Sequence, residues 1–303
     1  MTDLTRLQQK FLENLPEEIL KFNEPMSGHT SFRIGGRVEV MAFPRNADEL
    51  KRVLKMSAML DSKPAILGAG TNVLAPDNGI SGVVICLKDA LLGKDRLDET
   101  TIQVIAGETM TKAAIFAANL GLSGLEFAHG IPGTIGGGVY MNAGAYGGEI
   151  CQVCQRVEIM DRQGNTRWLS AEEMCFSYRH SVLENTDWIV LRCEFRLTPK
   201  DPDEIRAYMK ELMAKRSASQ PLDLPSAGSA FKRPIEGYAA ALIDGAGLKG
   251  FRVGGAAIST KHAGFAVNMG NATAEDVKHL LQQVSDIVYD KSGIRLEPEV
   301  RIW

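Results

Sequence analysis

Apolar residues recur at three- and four-residue spacing at Leu4, Leu7, Phe11, Leu15, Ile19 and Leu20, which predicts an amphipathic helical segment over residues 1–24, interrupted near Pro16. From residue 38 the period alternates. VEVMAF reads as a strand, ADELKRVLKMSAML as a helix, AILGAG, GVVICL and IQVIAG as strands, and MTKAAIFAANLG as a helix. VEIMD and TRWLS flank a turn at RQGN and predict a hairpin; Ser170 and Glu173 then form a capping box ahead of a short helix. WIVLRCEFRL is a long strand, residues 201–217 are helical by pattern, and SASQPLDLPSAGS is an irregular crossing segment. YAAALIDGAGL predicts a helix, GAAIS and FAVNMG strands, Ala274 to Ser292 a long helix closed by Gly293, and IRLEPEVRIW a final strand. This mixture is α/β or α+β, without internal repeats or low-complexity tracts.

A chain of 303 residues exceeds one ordinary core, so two or three domains are expected. An apolar share of 45% with 23% charged residues is that of a soluble globular protein and excludes disordered or fibrous organisation. A net charge of −3 supplies no field for phosphate backbones or anionic lipid, so neither nucleic acid nor membrane is an expected partner. There is no run of about 18 apolar residues and no basic-then-apolar leader, so a cytoplasmic location is expected. The five cysteines are odd in number, and the C-x-x-C of Cys151 and Cys154 has no second pair or Cys/His cluster to complete it. They read as ordinary thiols, and no metal site is expected.

Two glycine features carry candidate chemistry. Gly68-Ala69-Gly70-Thr71-Asn72 follows an apolar strand and matches neither the G-x-G-x-x-G dinucleotide fingerprint nor a P-loop. It reads either as a tight left-handed turn or as a nest of N–H groups for a pyrophosphate. Between Gly121 and Gly148, ten of 28 residues are glycine, where proportion to ordinary usage gives about three. That segment lets backbone approach either a flat cofactor or a neighbouring sheet.

In combination and order, TSFRIGG, GAGTNVL, GLEFAHGIPGTIGGGVYMNAGAYG, YRHS (178–181), GSAFKRP (228–234), KHAGFAVN (261–268) and LEPEVRI resemble the UDP-N-acetylenolpyruvoylglucosamine reductase family, across nearly the whole chain. The resemblance implies an α+β fold: a two-lobed FAD-binding domain of the vanillyl-alcohol-oxidase type plus a C-terminal α+β substrate-binding domain. The expected boundaries are a helical segment over 1–24, lobes over 25–88 and 89–200, and the substrate domain over 201–303. FAD is expected to be held noncovalently by Thr30, Ser31, Gly68, Ala69, Gly70, Thr71, Asn72, Gly124, Glu126, Gly133, Thr134 and Gly137. The short interval between Arg179 and Ser229 leaves no room for an extra substrate-covering loop and points to the shorter, second subtype.

The implied reaction passes a hydride from reduced flavin to the β-carbon of an enolpyruvyl ether, with NADPH as reductant and UDP-N-acetylglucosamine enolpyruvate as acceptor. Charge then develops at the α-carbon and its carboxylate. By resemblance Arg179 and a protonated Glu299 stabilise it, and Ser229 delivers the proton. Tyr178, Lys232, Arg233, Lys261 and His262 are the implied substrate contacts; Lys261 and His262 equally suit the NADPH phosphate or a solvated loop. On residue type alone, Ser229 reads as a turn residue, Arg179 as a surface arginine and Glu299 as an alternating exposed position. Another FAD oxidase or dehydrogenase of the same flavin fold is the alternative activity, and a monomer or weak dimer is the expected state.

Overall fold

The computed structural model describes residues 4–303; residues 1–3, at the head of the expected N-terminal helical segment, lie outside the described residues. The chain divides into two compact units: Met1–Asn23, Glu39–Ala69 and Gly82–Ala214 form the first, and Glu24–Val38, Gly70–Ser81 and Lys215–Trp303 the second. Among the described residues no helix is long and apolar enough to cross a membrane.

In the first unit, helix α1 (Arg6–Asn14) starts at Thr5, whose hydroxyl accepts the Gln8 N–H while the Gln8 side chain accepts the Thr5 N–H. The helical pattern stops there. Pro16 cannot donate, and beyond it Leu20 and Phe22 alternate with exposed Lys21 and Asn23, so Leu20–Pro25 is a strand where helical spacing was expected. Helix α2 (Ala47–Met59) is capped by Asn46, which accepts the Glu49 N–H at 2.9 Å.

A five-stranded antiparallel sheet is ordered Thr166–Ser170, Cys154–Met160, Ile189–Arg196, Thr101–Ile105, Lys94–Arg96. Val157 and Ile159 enter the core, while Arg156 and Glu158 on the other face pair with Glu194 and Arg192 directly opposite, at 2.6 and 2.5 Å. The Ser170–Glu173 capping box forms, but it closes a single turn and not the expected helix, because Cys175 takes a left-handed φ of 47°.

Two helices of this unit bear on function. Helix α3 (Met110–Asn119) buries Met110, Ala113, Ala114 and Ala117. Helix α4 (Ile135–Tyr140) lies inside the glycine-rich segment, where the sequence predicts no helix. Three consecutive glycines disfavour it, at about 1 kcal/mol each relative to alanine. Packing offsets that cost: Ile135 and Val139 are fully buried, and a Cβ on Gly138 would sit 2.7 Å from the Met110 sulfur.

The second unit holds an antiparallel sheet ordered Ser226–Ser229, Phe265–Asn268, Ala256–Ile258, Arg252–Val253. Helix α5 (Pro202–Ser219) contains the division between the units, and helix α6 (Ala239–Gly245) follows in the second. Helix α7 (Ala274–Ser292) fills its predicted span. Thr273 and Asp276 form a capping box, Val277, Leu280, Leu281, Val284 and Val288 are buried, and left-handed Gly293 ends it. Of the expected terminal strand only Arg301–Ile302 is realised, parallel to Val73–Leu74; Pro298, which has no N–H, interrupts the rest.

A Cβ on Gly107 would collide with the backbone carbonyls of Leu87 and Leu91, which cannot swing away, whereas one on Gly245 meets nothing within 4 Å. Gly107→Ala is expected to cost about 3 kcal/mol and Gly245→Ala to gain about 0.5 kcal/mol, read as opposite shifts in melting temperature. Equal tolerance of both would show that close backbone approach at Gly107 does not constrain the first unit.

Candidate active site

In the first unit the site residues gather around α4. Gly68 packs so closely on Thr134 that a Cβ would lie 2.5 Å from its hydroxyl oxygen, and half-buried Ala69 follows. The Thr134 hydroxyl accepts the Gly137 N–H at 3.3 Å, while Ile135 N–H and Gly136 N–H donate to the carbonyls of Glu108 and Ala106. The start of this helix is therefore satisfied by protein. Gly133 donates its N–H to the Ile131 carbonyl. Glu126, 7% exposed, accepts from the Ser123 hydroxyl at 2.6 Å and the Gly124 N–H at 2.7 Å, so its carboxylate shapes its own turn. Gly124 is packed between Leu197 and Val153.

Tyr178 and Arg179 occupy the tip of a tight turn closed by reciprocal hydrogen bonds between Ser177 and His180, both 3.1 Å. Arg179 has a left-handed φ of 55°, stacks its guanidinium over the Tyr178 ring at 5.1 Å and donates to the Gly144 carbonyl at 3.3 Å. A surface arginine with no fixed orientation does not fit that geometry. Ser181 and Asn142, both buried, fasten this turn from beneath: the Ser181 hydroxyl donates to the Tyr140 carbonyl, and the Asn142 amide to the Ser177 carbonyl. The sequence places both inside motifs but gives neither side chain a role, because a buried asparagine or serine has the same letter as a surface one.

In the second unit, Thr30 closes the TSFRIGG loop by donating to the Ile34 carbonyl at 2.8 Å, and Ser31 donates its N–H to the Gly70 carbonyl and its hydroxyl to the Ser226 carbonyl. Gly70, with φ 63°, leaves no room for a Cβ against His29. Among the described residues, the N–H groups of Gly70, Thr71 and Asn72 have no protein acceptor. Three successive donors at a half-buried turn are a fit for anionic oxygens, since orphaned buried N–H groups are otherwise costly. The residues present thus suit the pyrophosphate of a dinucleotide.

The same unit brings Ser229 and Glu299 onto adjacent segments. The Glu299 N–H donates to the Ala230 carbonyl at 3.0 Å, the Lys232 N–H donates to the Glu297 carbonyl at 2.9 Å, and Phe231 bridges Pro298. The Asn72 amide donates to the Glu299 carbonyl at 3.1 Å. Ser229 is exposed and follows left-handed Gly228, while Glu299 is half-buried. Lys232 pairs with Glu297 at 2.5 Å, and Arg233 stacks over Tyr238 at 4.1 Å. The Lys261 ammonium donates to the Ser217 carbonyl at 2.7 Å. His262 accepts the Gly264 N–H at Nδ1 and meets the Phe265 ring edge-on; burial pushes its imidazole below the ordinary value. Asn268, likewise inside a motif but given no role by the sequence, supports the TSFRIGG loop by donating to the Phe32 carbonyl.

The C-x-x-C thiols do not meet. Cys154 instead approaches Cys193 across the sheet at 3.5 Å, and burial holds the Cys193 thiol well above its usual range, as suits a core group.

Comparison with known proteins agrees with this arrangement. A curated UDP-N-acetylenolpyruvoylglucosamine reductase of Caldanaerobacter subterraneus is 46% identical over 296 residues, covering 98% of this chain and 97% of that protein. The chain belongs to the UDP-N-acetylenolpyruvoylglucosamine reductase family. A relative of the same description from Lactococcus lactis is 43% identical over 98% of both chains. The family model for the C-terminal domain of this reductase matches residues 220–303, and an FAD binding domain model matches residues 38–170. The crystal structure of the Thermus caldophilus reductase superposes with a TM-score of 0.79 at 34% identity, covering 94% of this chain and 98% of that one. The fold is accordingly α+β, with an FAD binding domain and the family's C-terminal domain.

Burial favours the neutral form of His262, and its Nδ1 must be unprotonated to accept from Gly264. Its unfolded value lies near 6.5, so unfolding binds a proton below that pH. Stability is therefore full above about pH 6.5 and falls as the solution is acidified toward the lower folded value. Denaturation midpoints between about pH 7.5 and 5.5 should show this fall, to which His129, also pushed down by burial, adds in the same direction, and His262→Asn, whose amide oxygen can accept the same N–H, should reduce it. An unchanged slope would assign the fall to other groups.

Proposed function

We propose that this chain is an NADPH-dependent flavoenzyme that reduces UDP-N-acetylglucosamine enolpyruvate to UDP-N-acetylmuramate, a step of peptidoglycan precursor synthesis. Family membership supports the reductase chemistry. The observation that carries the residue roles is the pairing of the Ser229–Lys232 segment with Glu297–Glu299 in the second unit, which puts a hydroxyl and a carboxyl on neighbouring segments.

The N–H groups of Gly70, Thr71 and Asn72 would hold the FAD pyrophosphate, with Thr30, Ser31, Gly68 and Ala69 shaping that turn and the glycine segment from Gly124 to Gly137 lying along the ring system. FAD, when bound, supplies hydride transfer from the nicotinamide donor to the enolpyruvyl β-carbon. Arg179 offers fixed positive charge to the substrate carboxylate, and Glu299, as the neutral acid, donates a hydrogen bond to it as enolate character grows. Ser229 gives its hydroxyl proton to the α-carbon; so weak an acid suffices because the enolate is strongly basic. Tyr178, Lys232, Arg233, Lys261 and His262 remain the proposed substrate contacts. Lys232 and Arg233 can offer charge to a diphosphate, whereas neutral His262 can offer only a donor.

The test is an anaerobic flavin spectrum. NADPH should bleach the bound flavin, and colour should return on adding UDP-N-acetylglucosamine enolpyruvate. Return of colour only with air would favour another oxidase or dehydrogenase of the same flavin fold. In Ser229→Ala the bleaching should persist while reoxidation by substrate slows by roughly 10²-fold or more. Equal slowing of the two half-reactions would remove Ser229 from the proton-delivery role.

A further inference from the structure

We infer that Asn142, together with Ser181, is a positioning residue for Arg179, an inference that rests on the proposed role of Arg179 toward the substrate carboxylate. Asn142 is 1% exposed and sits at φ 42°, a left-handed conformation that asparagine tolerates better than most side chains. Its amide is fully engaged. Oδ1 accepts the Cys151 N–H at 2.9 Å, and Nδ2 donates to Glu149 Oε2 and to the Ser177 carbonyl, both at 3.0 Å.

Those partners lie at both ends of Arg179. Ser177 is the base of the two-residue turn that carries Tyr178 and Arg179, so its carbonyl accepts from the turn itself and from Asn142. At the other end, the guanidinium donates to the Gly144 carbonyl, and Gly144 is the strand partner of Glu149 in a small hairpin. One buried side chain therefore fixes the turn that launches the arginine and the strand that receives its head. Ser181, fully buried, adds a second tie from the far side of the turn through its 2.8 Å bond to the Tyr140 carbonyl. A network anchored on two buried side chains whose hydrogen bonds are made restricts the turn to few arrangements, and a misplacement of about 1 Å at a reacting group can cost about 10² in rate.

Asparagine contributes here both a backbone conformation and an amide. Asn142→Gly separates them, because glycine holds the left-handed φ and lacks the side chain. The experiment measures anaerobic flavin reduction by NADPH and reoxidation by UDP-N-acetylglucosamine enolpyruvate in Asn142→Gly, Arg179→Ala and the double variant, with flavin spectra and melting temperatures alongside. The expected result is retained flavin, reduction within about threefold of the unaltered protein, and reoxidation slowed by about 10²-fold by Asn142→Gly. In the Arg179→Ala background the same substitution should change reoxidation by less than about twofold, since a residue acting through another has no effect once that one is gone. Additive losses, equal slowing of both half-reactions, or no slowing would overturn the inference. If Asn142→Gly yields no folded flavoprotein, the same cycle with Ser181→Ala decides: slowing that vanishes with Arg179→Ala supports the inference, and additive or absent slowing overturns it. Reoxidation at the unaltered rate in Arg179→Ala alone would instead sink the role of Arg179 itself, and this inference with it.

Discussion

Gly136 and Gly138 lie tightly against Ala106 and Met110, where an added Cβ would come within 3.1 Å of the Ala106 Cβ and 2.7 Å of the Met110 sulfur, and the placement of α4 rests on that contact. A helix with three successive glycines gives up about 3 kcal/mol of intrinsic propensity relative to alanine. Full burial of Ile135 and Val139, worth about 1.5 to 3 kcal/mol each, together with the Thr134 cap at about 1 kcal/mol, offsets this only if the helix sits directly on its neighbours. A Cβ at 136 would crowd Ala106, and one at 138 would require the Met110 side chain to shift. The position of the helix sets Thr134 against Gly68 at one end and delivers Tyr140 and Asn142 to the Arg179 turn at the other. Close packing and the presentation of a charged side chain are thus one constraint.

The second unit solves a different problem. Its turn at Gly70, Thr71 and Asn72 keeps three N–H donors without a protein acceptor, and leaving a buried donor unmet costs about 1 to 3 kcal/mol. A fold keeps such a turn where a ligand supplies the acceptors, and binding then adds to stability by mass action. The start of α4 has the opposite arrangement, with its first donors all met by the protein. The two glycine features look alike in sequence, yet one is a nest of open donors and the other a packing device.

That contrast marks how far the sequence could be read. Where burial periodicity and capping chemistry agree, as in α7 from the Thr273 box to Gly293, the element was legible to the residue. It was not legible where tertiary contacts overrule propensity. IGGGVY is helical because of what it packs against, and Leu20–Pro25 is a strand because Pro16 ends the apolar helical period. The Ser170 box was read correctly as chemistry, but Cys175 in a left-handed conformation allowed only one turn of it. Among candidate site residues, the charged and glycine positions are read from a pattern of motifs, whereas Asn142, Ser181 and Asn268 make hydrogen bonds from buried positions that leave no periodic signal.

The charged groups proposed for substrate differ in how firmly the protein already holds them, and this orders their value as contacts. The Lys232 pair with Glu297 is partly exposed, and such pairs are worth about 0 to 1 kcal/mol, so a diphosphate can take the ammonium at little cost. The Lys261 ammonium is bonded to a neutral carbonyl, which an anion can replace without breaking an ion pair. His262 cannot follow, because gaining a positive charge at Nδ1 would sacrifice the Gly264 bond and oppose its burial. Lysine charge, and the Arg233 guanidinium stacked on Tyr238, therefore carry the attraction for phosphate on the proposed reading, while His262 holds the loop that presents Lys261.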